Sequence, residues 1–155
     1  MSNLENNRTV WIFQGDPARY SIKEMLSDQK VTKSFHWKVS RYRSEINENN
    51  LGLIWLSGKQ AGIYGVTEII SAPDYFSESD AERKYWLRDA EDRTELRAKM
   101  KLLVNLVKAP ITKEQIKSKP ELQNLSIIKN PRGTNFKVSH NEWLSIKELI
   151  AEHIK

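Results

Sequence analysis

The segment from residue 51 to residue 70 constrains the fold of this chain more than any other. It contains two apolar runs, LGLIWLS at 51–57 and GIYGVTEII at 62–70, separated by a short loop that includes Gly58. Their length and their β-branched and aromatic content predict two β-strands, and the glycine-containing loop predicts that these strands form a hairpin. Gly62 and Gly65 within the second run predict a bulge or the close approach of another backbone.

Other parts of the chain carry shorter strand signals. Residues 96–106 match a period of two at six positions and a helical period at four, which favours a long strand. Residues 71–82 are polar and are predicted to be irregular, and a short edge strand is predicted at 85–87. The remaining predicted strands cover residues 8–14, which stop at the turn sequence GDP, residues 35–39 and residues 136–138.

Short helices are predicted between the strands from their capping signals. Ser21 precedes Glu24 by three residues, and Ser139 precedes Glu142 by three, so each pair predicts a capping box at a helix start. Thr112 is predicted to cap a short helix that ends at Lys117. The apolar faces are predicted to consist of Ile22, Met25 and Leu26 in the first helix, and of Trp143, Ile146, Leu149, Ile150 and Ile154 in the last.

Together these signals predict an α+β fold, a small mixed β-barrel of five to six strands flanked by short helices. At 155 residues the chain is expected to form a single domain over residues 1–155. It contains no cysteine, no apolar run long enough to span a bilayer and no visible secretory signal. We therefore expect a cytoplasmic protein that does not bind a membrane, without disulfides or cysteine-ligated metals.

The distribution of charge points towards a polyanionic partner. The formal net charge is +5, and residues 30–43 contain five basic residues and no acidic one. Residues 97–137 contain ten basic residues and two acidic ones, whereas residues 78–95 contain seven acids and four bases. A run of charge is as often a solvated face, but basic stretches that flank aromatic residues are typical of nucleic-acid binding.

No arrangement of residues predicts a catalytic or metal centre. The three histidines, His36, His140 and His153, have no metal-ligand spacing, and His36 alternates with Trp37 on a predicted strand, so it is expected to face solvent. No phosphate-binding glycine motif is present. The chain is therefore expected to be no enzyme and to need no cofactor. The closely spaced acids Asp89, Glu91 and Asp92 are expected to be solvated.

The tryptophans are the most informative single residue type. Trp11, on the first strand, and Trp143, in the last helix, are expected to be core residues, and Trp86 is expected to pack below the acidic loop. Trp37 and Trp55 differ, because each lies near a strand end beside a loop with polar or basic residues. From the pattern alone, both core packing and exposure in a binding pocket remain open for these two rings.

Four segments, in order along the chain, resemble the signature motifs of EVE domains. They are WIFQGDP at 11–17, WKVSRY at 37–42, the hairpin IWLSG…AGIYGV within 54–66, and NPRGTNF at 130–136. The chain departs from the family at Asn49 and Asn50, where Gly-Asp is usual, so a different turn is expected there. It also departs at Asp16, which usually is asparagine. The resemblance implies a PUA-like barrel, similar to YTH domains, in which aromatic side chains hold a modified base.

The resemblance also implies a function and a set of site residues. It implies a bacterial reader of modified cytosine or adenine in DNA or RNA, with a nuclease or helicase partner in trans. The base pocket would consist of Trp37, Trp55, Gln14, Asp16, Pro17 and Ser40. The phosphate contacts would come from Lys38, Arg41, Arg132, Gly133 and Thr134. A PUA-like RNA-processing or hydrolytic enzyme and a protein-interaction module remain the alternatives.

Overall fold

The structure is a computed structural model that describes residues 4, 7–88 and 93–154. Its strands form one curled sheet in the order β2-β5-β4-β3-β1-β7, and the short strand β6 pairs with β4. β1 and β3 are parallel, and the other pairs are antiparallel. The strands are β1 Val10–Gly15, β2 Phe35–Lys38, β3 Leu51–Leu56, β4 Gly62–Ser77, β5 Thr94–Asn105, β6 Ile111–Thr112 and β7 Asn135–Val138.

Short helices connect the strands, and one longer helix ends the described chain. Ser139 forms the predicted capping box with Glu142, and Thr112 caps its helix as predicted, in a capping box with Gln115. The Ser21 side chain makes no cap hydrogen bond, although a helix begins there as predicted. The helices are α1 Ile22–Leu26, α2 Gln29–Thr32, α3 Asp80–Arg83, α4 Lys113–Lys117, α5 Ser126–Lys129 and α6 His140–His153, with a 3₁₀ turn at Pro120–Leu122. Ile154, expected on the apolar face of the last helix, is 45% exposed because it lies beyond the helix end.

The predicted hairpin forms between β3 and β4, and its glycines have the predicted roles. A Cβ atom at Gly62 would lie 2.3 Å from the backbone oxygen of Ile111, so only glycine allows β6 to pair at this point. Between Ile54 and Trp55 the pairing register shifts, which places a bulge next to Gly65.

β4 and β5 extend further than the sequence predicts. Residues 71–77, predicted to be irregular, continue β4 and pair with the first half of β5 in a ribbon. Much of this ribbon is exposed, so its sequence does not show the apolar alternation of a half-buried strand. The predicted edge strand at 85–87 is reduced to a single bridge between Trp86 and Tyr20.

Asn49 and Asn50 shape the turn before β3, where the chain departs from the family pattern. Asn49 has a φ of 72°, a left-handed conformation that glycine adopts readily and asparagine tolerates. The Asn50 side-chain oxygen accepts hydrogen bonds from the Trp11 ring nitrogen and the Asn47 backbone, both at 2.9 Å. An aspartate at position 50 could accept the same two bonds.

Hydrophobic clusters lie on both faces of the sheet, because alternate residues of β1 and β3 point to opposite sides. Val10 and Ile12 belong to one cluster, which α4, α5 and α6 cover; we call it the outer cluster. Trp11 and Phe13 belong to the other, which α1 and β2 complete; we call it the inner cluster. Trp11 and Trp143 are 1% and 0% exposed, which confirms that they are core residues.

Candidate functional site

A cavity of about 1310 Å³ opens where β1 and β3 end. Because these strands are parallel and in register, Gln14 lies beside Trp55 and Gly15 beside Leu56 at the same edge of the sheet. The cavity brings together seven of the residues that the family resemblance implied, namely Gln14, Asp16, Trp37, Lys38, Trp55, Gly133 and Thr134.

Trp37 reaches the cavity from β2 and packs across the end of β1. Its ring nitrogen donates a hydrogen bond to the Gln14 backbone oxygen at 3.2 Å. A Cβ atom at Gly15 would lie 2.8 Å from the Trp37 ring and 2.5 Å from the Ile22 side chain, so this glycine makes room for the ring. Trp37 is 8% exposed and its ring packs edge-on against Phe35, so the residue is part of the inner cluster and also borders the cavity.

Trp55 reaches the cavity from the opposite face of the sheet. It belongs to the outer cluster, whereas Trp37 belongs to the inner one. It is 2% exposed, with its ring surrounded by core residues. Both tryptophans border the cavity, but the sheet lies between the clusters to which they belong.

Gln14 ties the end of β1 to the loop before β7. Its side-chain nitrogen donates to the backbone oxygens of Pro131 and Gly133, both at 2.8 Å, and its backbone nitrogen donates to Thr134 at 2.7 Å. Both amide hydrogens are therefore in use, and only the side-chain oxygen remains to contact a ligand. Gly133 has a φ of 110°, which lets the loop turn beneath Gln14.

Asn135 closes the gap between the two ends of the curled sheet and was not singled out from the sequence. Its side-chain oxygen accepts from the backbone nitrogens of Ser40 at 2.7 Å and Arg41 at 3.2 Å, and its nitrogen donates to Lys38 at 3.0 Å. The residue is 0% exposed. Asn135 follows the RGT sequence of the family motif, and this position was the feature that could have drawn attention to it. The motif does not indicate that the side chain contacts β2.

Four of the implied site residues do not line the cavity. Pro17 and Arg132 are exposed, and Ser40 is tied to Asn135. Arg41 lies against Tyr42, with its guanidinium 4.9 Å from the ring centre. Asp16 does line the cavity, but one carboxylate oxygen accepts from the Ala18 backbone at 2.9 Å, so the other oxygen is left for a ligand.

A buried histidine–glutamate pair, His36 and Glu82, lies on the cavity side of β2. The His36 ring and backbone nitrogens each lie 2.9 Å from the Glu82 carboxylate, and the side chains of His36 and Glu82 are 11% and 1% exposed. The prediction that His36 faces solvent is therefore wrong. Burial alone would raise the pKa of Glu82, but the hydrogen bonds from His36 and Ser79 lower it below the usual value.

A second buried group of charges lies beside this pair. Arg97 is 5% exposed, and its guanidinium lies 3.7 Å from Glu78 and 3.4 Å from Glu95. Burial raises the pKa of the Glu78 carboxyl, although the Trp86 ring nitrogen at 2.9 Å and the Arg97 charge act in the opposite direction. Glu78 and Arg97 both border the cavity. Trp86 lies on Tyr20, with ring centres 4.7 Å apart.

Sequence reasoning missed these charged groups for an identifiable reason. Arg97 stands between Leu96 and Ala98 on a strand with a period of two, a position that normally faces solvent. Glu82 follows Ser79 by three residues, and the two form a complete capping box at the start of α3. That signal was present in a segment predicted to be irregular.

The described residues hold no group of three or more histidine, cysteine or acidic side chains arranged to bind a metal ion. None of the described helices is long and apolar enough to cross a membrane. The acids Asp89, Glu91 and Asp92 lie outside the described residues.

The fold and the site define a class of protein, a small α+β barrel of the PUA-like type with a cavity at one end of its sheet. The model of the EVE domain family matches residues 9–149, and the chain belongs to this family. The family resemblance and the predicted fold class are thus confirmed. No curated protein matches the chain in sequence.

Solved structures with the same fold are distant in sequence. A hypothetical protein from Leishmania major has a TM-score of 0.67 at 18% identity, over 96% of this chain and 98% of that one. Human THYN1, solved in complex with DNA containing 5-methylcytosine, has a TM-score of 0.63 at 14% identity, over 91% and 96%. An ASCH protein from Zymomonas mobilis has a TM-score of 0.53 at 13% identity, over 92% and 97%.

Proposed function

We propose that this EVE domain reads a modified base, a cytosine or an adenine, in a nucleic-acid strand and does no chemistry on it. The observation that carries the proposal is the convergence of Gln14, Asp16, Trp37 and Thr134 on one cavity at the end of the sheet. An aromatic ring, a carboxylate oxygen and amide or hydroxyl groups are what recognition of a base requires.

The size of the cavity is consistent with a strand rather than a free base. Pockets for small ligands usually have volumes of about 300–1,000 Å³, and this cavity, which is open to solvent, has a volume of about 1310 Å³. A base that is probed on all sides must leave the stack, so the ligand is a single strand or a duplex with a flipped base. The neighbouring nucleotides then occupy the rest of the cavity.

The charges at the cavity favour an anionic ligand. Six basic residues line it against three acidic ones, if its lining arginines, lysines, aspartates and glutamates are counted. Lys38 is exposed at the mouth and is suited to a phosphate. Human THYN1, which shares this fold, was solved with DNA that contains 5-methylcytosine, and this supports nucleic acid as the ligand here.

A binding panel tests the proposal. Short DNA and RNA strands with cytosine, 5-methylcytosine, adenine or N6-methyladenine would be titrated by fluorescence polarisation. We expect one modified base to bind about fourfold more tightly than its unmodified form, because burial of a methyl group contributes about 0.8 kcal/mol. Equal affinity for every strand, or no binding at low salt, would overturn the proposal.

Gly15→Ala provides the matched variant for this panel. The added methyl group would collide with the Trp37 ring without removing any polar contact, so it should shift the ring. We expect it to reduce the preference for the modified base. Gly58→Ala is the control, because a Cβ atom at Gly58 would meet nothing within 4 Å, although its φ of 94° brings some backbone strain.

We also propose, from the family resemblance, that the reader serves a bacterial restriction or defence system with a nuclease or helicase as its partner. Co-purification of the tagged chain with such an enzyme from its own host is the test. Purification of the chain alone under the same conditions would count against this partner.

A second candidate function is hydrolysis, and one observation favours it. The His36 ring borders the cavity and is oriented by the Glu82 carboxylate at 2.9 Å, an arrangement that general bases use. Incubation of the panel strands with the protein, followed by chromatography, would detect a released base, nucleotide or phosphate. Release that is lost in His36→Gln would replace the reader by an enzyme.

A further inference from the structure

Two arginines and two tyrosines form a surface outside the cavity. The Arg41 guanidinium lies 4.9 Å from the centre of the Tyr42 ring and donates to its hydroxyl at 2.9 Å. The Arg43 guanidinium lies 5.4 Å from the centre of the Tyr75 ring and donates to its hydroxyl at 3.5 Å. We call Arg41, Tyr42, Arg43 and Tyr75 the arginine–tyrosine surface.

The charges of this surface are not neutralised by neighbouring carboxylates. Among the described residues neither Arg41 nor Arg43 takes part in an ion pair, in contrast to Arg8, Arg83 and Arg97. The nearby acids have other partners. Glu45 binds Lys137 at 2.6 Å, and the Asp74 carboxylate accepts the Tyr75 backbone N–H at 2.7 Å. The two guanidiniums therefore keep their full charge towards solvent.

Tyr75 is exposed although it lies on a paired strand. Its side chain is 59% exposed, more than any other large hydrophobic side chain in the described part of the chain. Tyr42 is different, because its ring packs on Trp11 with centres 5.1 Å apart. The inference therefore rests on Tyr75 and the two arginines.

The surface lies close to the cavity. Lys38 lines the cavity, and the next residue, Val39, donates its backbone N–H to Leu96 on β5. Leu96 is the register partner of Tyr75 on β4. Two strand spacings of about 4.8 Å thus separate Tyr75 from the end of β2, roughly 10 Å in all. Lys38 pairs with Arg97, one register row away from Leu96 and Tyr75, so the side chains of Lys38 and Tyr75 project to opposite faces of the sheet. A nucleic-acid strand that leaves the cavity therefore reaches the surface by passing around the end of β2.

We propose that Arg41, Arg43 and Tyr75 bind the single-stranded segment next to the base in the cavity. A base stacks on the Tyr75 ring, and the two guanidiniums hold phosphates. Rings and cations in this combination bind single strands without regard to sequence. A paired duplex offers no free base face to Tyr75, so the surface selects an unpaired flank. The inference rests on the proposed function, since the cavity must hold the neighbouring base.

The test compares strands of two lengths. A trinucleotide centred on the modified base fills the cavity only, whereas a strand of about nine nucleotides also covers the surface; both are made as DNA and as RNA. We expect Tyr75→Ala to weaken the longer strand by about fivefold or more and to leave the trinucleotide unchanged. Arg41→Ala and Arg43→Ala should each lower the salt dependence by about 0.7 log units per log unit of salt.

Lys84→Ala and Ile154→Ala are the matched controls. Lys84 also lies over a tyrosine, with its ammonium 5.2 Å from the Tyr85 ring centre, but it is paired with Asp28 at 3.5 Å. Ile154 is a second exposed apolar residue, just beyond the end of α6. Both variants should bind like the wild type. Thermal melting of Tyr75→Ala should match the wild type, because the removed ring is mostly solvated.

The outcomes separate this inference from the proposed function. If Tyr75→Ala and Arg43→Ala bind the long strand as tightly as the wild type does, the proposed role of the arginine–tyrosine surface is wrong. It is also wrong if these substitutions weaken the binding of a duplex as much as that of a single strand. If the wild type shows no preference for a modified base, the reader function fails, and the variants are then compared on the unmodified long strand. If the wild type binds no strand, both proposals fail.

Discussion

The two faces of the sheet differ in the side chains that fill them and in what lies at their edges. The outer cluster is mainly aliphatic and is covered by three helices, with Trp143 at its centre. The inner cluster is rich in aromatic rings, including Trp11, Phe13 and Trp37, and it ends at the charged groups around Glu82. The difference indicates that the outer cluster mainly stabilises the fold. The inner cluster also stabilises the fold, and in addition it adjoins the polar groups that border the cavity.

Trp37 and Trp55 show the same difference between the inner and outer clusters. Both border the cavity, but Trp55 is 2% exposed within the outer cluster, whereas Trp37 is 8% exposed and rests on the Gln14–Gly15 backbone. Of the two tryptophans that the family resemblance implied, Trp37 is the less buried, and it packs against the backbone at the edge of the cavity. Trp55 has the surroundings of a core residue.

The largest expected effect is on stability. Trp11→Ala and Trp55→Ala should each lower the free energy of unfolding by about 3–5 kcal/mol, because each removes a large ring from a packed core. Trp37→Ala should cost less than either, since part of its ring faces the cavity. Urea denaturation followed by circular dichroism measures all three. A Trp55→Ala variant that is more stable than Trp37→Ala would reverse the assignment.

An intermediate effect is expected where the sheet closes. Asn135→Ala leaves the backbone N–H groups of Ser40 and Arg41 without their acceptor, which should cost about 1–3 kcal/mol. Amide hydrogen exchange should accelerate at Ser40 and Arg41 before it does elsewhere in the inner face.

Ser126→Ala serves as the control for this closure. The Ser126 hydroxyl donates a hydrogen bond to the backbone oxygen of Lys137 at 2.9 Å, and Ser126→Ala removes this bond. Lys137 lies on β7, as Asn135 does, but in a more exposed position. The cost of Ser126→Ala should stay below that of Asn135→Ala. Equal costs for the two variants would mean that Asn135 does not close the barrel.

Much of the fold could be predicted from the sequence, because its signals are local. The hairpin, the long strand β5 and the final helix follow from apolar periodicity and capping residues, and these were confirmed. The prediction for residues 71–77 of β4 was wrong, since most of their side chains are exposed or half-exposed and show no apolar alternation. The predicted capping box at Ser21 was wrong although its helix is present. A capping sequence pattern therefore does not ensure that the side chain makes the capping hydrogen bond.

The candidate site could be predicted only in part. Gln14, Trp37 and Thr134 belong to the family motifs, and all three line the cavity. The motifs do not indicate which side chains contact one another. Asn135 makes contacts with residues about 95 positions away, and Glu82 binds His36 across 46 positions. Such partners depend on how the sheet curls, and a single sequence does not contain that information.

The smallest expected effect is on the acid sensitivity of the inner face, where two buried carboxylates act in opposite directions. The pKa of Glu82 is lowered, so its contribution to stability is complete above its unfolded value of 4.5 and is lost as the pH falls through the folded value. The pKa of Glu78 is raised by burial, so its charged form opposes folding, and acid relieves that cost. Glu82→Gln should therefore make the loss of stability between about pH 6 and pH 3 shallower, and Glu78→Gln should make it steeper. Urea midpoints across this range measure both slopes.

His36 faces both carboxylates and Arg97 lies beside Glu78, so His36→Gln is the control that removes one partner while leaving both acids in place. Parallel slopes for the two glutamine variants would show that the two carboxylates share one environment.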